Sequence, residues 1–74
     1  MNKVILIKGN FIIHGNLALA AGGNVKAAVS DAQIAEAADR LVQTIEGDAE
    51  VHGDLAVYGD LYVTGSLAIK GVPR

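Results

Sequence analysis

The sequence has no cysteine, no tryptophan, one proline, one methionine and only three aromatic side chains, Phe11, Tyr58 and Tyr62. Without cysteine there is no thiol nucleophile, no thiolate zinc site and no disulfide to staple a small fold. The lack of aromatics means that a core must be built from Ile, Val, Leu and Ala. Neither sign of charge prevails: 8 acidic against 6 basic residues give a formal net charge of −2. That balance lacks the basic stripe of a nucleic-acid binder. A membrane span is missing too. MNKVILIKGNFIIHGNLALAAGG has the outline of a signal peptide, but Lys8, Asn10, His14 and Asn16 interrupt it. No run approaches the ~18 apolar residues of a span, so neither a cleaved leader nor a membrane partner is expected. A length of 74 residues leaves room for one small domain, 1–74.

Glycine, by contrast, is abundant, and its placement is periodic. Written in sixes from Ile45, the C-terminal part reads IEGDAE, VHGDLA, VYGDLY, VTGSLA, IKGVPR; from Ile7 the N-terminal part reads IKGNFI, IHGNLA, LAAGGN. Each six runs aliphatic, variable, Gly, Asp/Asn/Ser, Leu, variable. Seven of the nine glycines keep this register: Gly9, Gly15, Gly47, Gly53, Gly59, Gly65 and Gly71. Parity follows the same rule. Val51, Leu55, Val57, Leu61, Val63, Leu67 and Ile69 are odd-numbered, whereas His52, Asp54, Tyr58, Asp60, Thr64, Ser66 and Lys70 are even. Because side chains alternate along a strand, one face is apolar and the other polar. In the N-terminal block Ile5, Ile7, Phe11, Ile13, Leu17 and Leu19 face inward, while Val4, Leu6 and Ile12 make its outward face unusually apolar. A glycine on the inward parity suits a corner where backbones approach closely, and the following Asp, Asn or Ser can bond local backbone there. Short strands joined by periodic corners describe a β-solenoid.

The period breaks at 30–46. Ser30 with Gln33 forms a capping box, and SDAQIAEAADRLVQTIEG predicts one helix over about 30–46, stopped by Gly47. Glu36 and Arg40 are spaced to pair along it. Ile34, Ala38, Leu41 and Ile45 form a narrow apolar seam with coiled-coil spacing. The domain thus divides into N-terminal repeats (1–23), a connector (24–29), the helix (30–46) and C-terminal repeats (47–74).

The segment VYGDLYVTGSLAIKG resembles the repeats of hexapeptide β-helices and, more closely, the VTGNL-type strings of bacteriophage tail-fibre, spike and related virion proteins. The resemblance implies a mainly β fold with one α-helix, a short hexapeptide-repeat β-solenoid or triple-stranded β-helix. It also implies a homotrimer. One chain closes fewer than three coils of three sixes, whereas stacked repeats generally need at least three units. Three chains winding about one axis would then fill it with Val51, Leu55, Val57, Leu61, Val63, Leu67 and Ile69. The expected function is that of a phage structural protein in the virion, with the capsid as partner: a decoration or short head-fibre protein attached by its N-terminal part. Lys3, Val4, Leu6, Lys8 and Ile12 are the candidate contact residues. The alternatives are a tail spike or fibre component and a bactofilin-like cellular scaffold. Pro73 and Arg74 in the last six would discourage further strand addition, which favours a closed particle over a filament.

Catalysis is not expected, because no nucleophile, base and orienting group are spaced as a set, and no phosphate-cradling glycine loop precedes a lysine. No cofactor is implied. His14 and His52 occupy equivalent positions before a glycine, but their outward parity reads as exposed strand histidines rather than metal ligands. Asp48, Asp54 and Asp60 recur every six residues and read as corner residues.

Overall fold

The computed structural model describes residues 2–20 and 22–71. About half of these are strand: β1 (Val4–Lys8), β2 (Phe11–Ile13), β3 (Leu17–Ala20), β4 (Val25–Lys26), β5 (Leu41–Glu46), β6 (Ala49–Val51), β7 (Leu55–Tyr58), β8 (Asp60–Val63) and β9 (Leu67–Ile69). One short helix, α1 (Asp31–Glu36), and a turn of 3₁₀ helix at Ala38–Arg40 lie between β4 and β5. The fold is mainly β, as the sequence predicts. Among the described residues no helix is long and apolar enough to cross a membrane.

Every strand pairing is parallel. The strands make three sheets, in the orders β4-β8-β1-β5, β6-β2-β9 and β3-β7. The chain therefore visits the first sheet, the second, the third and then the first again. It does this once through β1 to β4 and once through β5 to β8, after which β9 returns to the second sheet. The two passes alternate in the first sheet, where β8 lies between β4 and β1, and β1 between β8 and β5. Ile7 pairs with both Ile45 and Val63, residues separated in sequence by three sixes, so one circuit of three sheets takes three repeats.

Two apolar clusters result. The inner one gathers Ile7, Phe11, Ile13, Leu61 and Val63, with Ile5, Leu17, Ile45, Val51, Leu55 and Leu67 packed against it. Val57 is also buried. The residues expected to fill a three-chain axis thus pack within a single chain. Two inward-parity residues depart from the rule: Ile69 and Leu19 are exposed. Ile69 lies on an end strand and Leu19 in a two-stranded sheet, where fewer neighbours cover them.

The outer cluster consists of Val4, Leu6, Val29, Ala37 and Tyr62, with Ile34 and Leu41 against it. The helical segment thereby covers the apolar outward face of β1 and β8. The single helix expected over 30–46 is corrected here: it ends at Glu36 and 41–46 is strand. Its cap is as expected, since Gln33 N–H donates to Ser30 Oγ at 3.3 Å and the Gln33 side-chain oxygen accepts from Ser30 N–H at 2.8 Å. The seam Ile34, Ala38, Leu41 and Ile45 does not exist as a helix face, because Leu41 and Ile45 belong to β5, where they pair with Val4 and Ile7. Val42, Thr44 and Ile45 are β-branched, and strand pairing along the whole of β1 outweighs the last turns of a short helix. The connector, too, contributes a strand, β4, hydrogen-bonded to β8.

Candidate functional site

Three features stand out, and each follows from the register of the turns. The first is a corner ladder. Asp48 Oδ1 accepts from the Asn10 amide at 2.8 Å, Asp54 Oδ1 from the Asn16 amide at 2.8 Å, and Asp60 Oδ1 from the Asn24 amide at 2.9 Å. Asn10 Oδ1 in turn accepts from the Ser66 amide at 2.9 Å. The recurring Asp and Asn are corner residues, but they bond the backbone of the adjacent turn rather than their own. At Asp60 the ladder becomes a buried clip. Arg40 Nη1 donates to Asp60 Oδ2 at 3.0 Å and to the Asn2 carbonyl at 2.9 Å, and Asn2 Nδ2 reaches Asp60 Oδ1 at 3.4 Å. Burial alone would push the Asp60 carboxyl up; the Asn24 amide, Arg40 and Asn2 outweigh it and hold it below its usual range. The Glu36–Arg40 pair expected on a helix is replaced by this Arg40–Asp60 contact.

The second feature is a polar ladder outside the second sheet. Ile13 pairs with Val51, so the residues that follow, His14 and His52, stack with ring centroids 4.8 Å apart and planes 7° from parallel. Glu50, two residues before His52, shares its face. Its carboxylate lies 2.5 Å from His14 Nε2 and 3.5 Å from His52 Nε2. The His14 bond is the main influence holding the Glu50 carboxyl below its usual range, with the charges of His52 and Lys70 acting in the same direction. The sequence pointed to the two histidines; Glu50 as their common partner was missed. The i, i+2 spacing of Glu50 and His52, together with the repeat phase shared by His14 and His52, was the available signal.

The third feature is the end of the molecule formed by the 41–58 turn. Strands β5, β6 and β7 are each the outermost strand of their sheet. Between them opens an apolar cavity of about 220 Å³, lined by Ile45, Ala49, Val51, Leu55 and Val57 with Phe11 behind. The glycines define the direction of stacking. A Cβ on Gly9 would meet the Gly47 carbonyl carbon at 2.6 Å, one on Gly15 would meet that of Gly53 at 2.6 Å, and one on Gly65 would meet the Gly9 carbonyl oxygen at 2.7 Å. Each missing side chain makes room for the corner of the next turn toward the 41–58 end. Gly53, in the last turn, has open space at that position and no positive φ.

The candidate contact residues do not form one surface. Val4 and Leu6 are fully buried under the helical segment and Ile12 is half-buried, which leaves Lys3 and Lys8 exposed. Lys8 lies 3.7 Å from Glu46. Val72, Pro73 and Arg74 lie outside the described residues. The chain matches no protein-family model, no curated protein and no solved structure among those with which it was compared.

Proposed function

We propose that the chain is a short β-solenoid of two interleaved windings, used as a non-enzymatic building block that stacks its 41–58 turn onto a second copy of itself. Gly53 carries this reading. At every equivalent corner with a turn beyond it, glycine is required because a side chain would strike the neighbouring backbone. Gly53 has neither that neighbour nor a left-handed φ, so nothing within one chain calls for glycine there. A turn of another copy seated beneath it would. The open edges of β5, β6 and β7 and the apolar mouth between them fit the same occupant. Charge is complementary as well. The 41–58 turn exposes Glu46, Asp48, Glu50 and Asp54, whereas β4 and β9, the strands at the opposite end, carry or adjoin exposed Lys26 and Lys70. Stacking is therefore head to tail, a heterologous contact.

The setting we propose from the likeness of VYGDLYVTGSLAIKG to virion repeats is a phage particle, as a capsid decoration or short head-fibre protein, with a tail component as the alternative. The 41–58 end replaces the N-terminal face as the contact surface, since Val4 and Leu6 are covered. Copies that add along the solenoid also do without a three-chain axis to fill the interior. A head-to-tail contact that does not close generates filaments, and that openness favours a bactofilin-like scaffold as a second reading.

Gly53→Leu tests the contact. Sedimentation velocity of the wild type from about 5 µM to 500 µM should show species larger than the monomer growing with concentration, while Gly53→Leu stays monomeric and melts at every concentration as the dilute wild type does. A wild type that remains monomeric throughout, or a variant that assembles equally well, overturns the proposal. Regular wild-type filaments by negative-stain microscopy select the scaffold; discrete oligomers select the virion component.

A further inference from the structure

We infer that His14, Glu50 and His52 form a binding site for a divalent cation of the zinc class. The argument starts from donor type. Two imidazole nitrogens and one carboxylate oxygen make the ligand set that Zn²⁺ and its borderline neighbours prefer, whereas Mg²⁺ and Ca²⁺ require shells of oxygen. Geometry comes next. One donor atom from each of the three residues lies within 4.8 Å of the others. Ligand bonds of ~2.0–2.1 Å place tetrahedral donors roughly 3.3 Å apart, so side-chain rotation closes the remaining gap. Glu50 lies within the parallel register of β2 and β6, His14 and His52 directly follow its last pair, and the His14 amide donates to the Val51 carbonyl at 2.9 Å, so the backbone already brings the three together.

Charge and access also fit. The Glu50 carboxylate already spans both imidazoles, accepting from His14 and approaching His52. A cation held by the two ring nitrogens would replace the His14–Glu50 hydrogen bond, with Glu50 supplying the negative charge. The site faces solvent, which leaves positions for water in the shell, as in three-ligand zinc sites. Lys70 is the opposing charge: it follows Ile69, which pairs with Ile13, and it acts on Glu50 from the far side of His14. The outward parity that argued against metal binding in the sequence matters less once a third donor stands on the same face.

Isothermal titration with Zn²⁺ at pH 7.5 tests the site, with Mg²⁺ as the control cation. One Zn²⁺ per chain should bind, and Mg²⁺ should not. His14→Ala, His52→Ala and Glu50→Gln should each weaken binding at least tenfold while melting normally without metal, since all three side chains face solvent. Wild type should gain roughly 11–22 °C in melting temperature at one hundred times Kd, and the three variants should gain far less at that concentration. Lys70→Ala should tighten binding. No Zn²⁺ binding, or binding that all three variants retain, overturns the assignment.

Discussion

Leu61→Ala asks whether the repeat residues fill the interior of one chain or an axis shared by three. Leu61 is fully buried and lies in the inner cluster. Strand β1 lies on one side of it, through Ile5, and β4 on the other, through Val25. Truncating a buried leucine costs about 2–5 kcal/mol, depending on how far the site collapses. Hydrogen-bonded strands on both sides resist collapse, so about 3–4 kcal/mol is expected. A domain of this length holds about 4–11 kcal/mol in total. The substitution therefore removes much of the margin and should lower the melting temperature by roughly 15–25 °C, at about 4–8 °C per kcal/mol. Circular dichroism in a Gly53→Leu background, chosen to block the proposed stacking, reads it at about 5 and 200 µM. A single-chain core gives the same drop at both concentrations, whereas a core shared among chains makes melting rise with concentration. A drop below about 5 °C, or one that depends on concentration, refutes the reasoning. By the same logic Leu61→Asp unfolds the chain itself rather than merely separating copies.

Two further predictions concern single corners. Gly59 has φ +125°, and a Cβ there would strike the Lys3 carbonyl; Gly59→Ala should cost more than about 1 kcal/mol, while Gly53→Ala stays within about 0.5, and urea denaturation separates them. The Asp60 carboxyl is held below its usual range in the fold, so its contribution is present above the unfolded carboxylate range and is lost as pH falls through the lowered value. Asp60→Asn should lower stability at pH 7 and flatten the acid limb of a stability-against-pH curve; an unchanged acid limb refutes that role.

Periodicity made much of the fold legible in the sequence. The hexad glycines and the odd–even alternation located β2, β6, β7, β8 and β9, because each follows from two-residue side-chain alternation. The Ser30–Gln33 cap was equally readable, being entirely local. What misled was 41–46, where the helix signal of 31–40 was extended across the β-branched Val42, Thr44 and Ile45, whose strand preference is met by pairing with β1, distant in sequence. Tyr62 and Leu6 had polar or solvent parity, yet lie buried because a segment with no repeat of its own folds back over them. Arg40–Asp60 and Glu50–His14 join residues twenty or more apart, and only the register between the two passes brings them together. The seven phased glycines looked equivalent, but Gly53 differs from Gly15 only in having no turn beyond it.

The alternation of the two passes also limits how this architecture can change in length. In a single-start stack, three more sixes add one rung at an end and leave the rest untouched. Here an extra circuit in one pass advances by two strand spacings and leaves a one-strand gap in each sheet, which only a matching circuit in the other pass fills. Growth by duplication must therefore come in coordinated pairs, like lengthening a two-threaded screw. Neither pass is a smaller version of the whole, because each lacks the strands that lie between its own turns. Residues 2–40 and 41–71, made separately, would each present β-edges at the wrong spacing and should fold only when mixed.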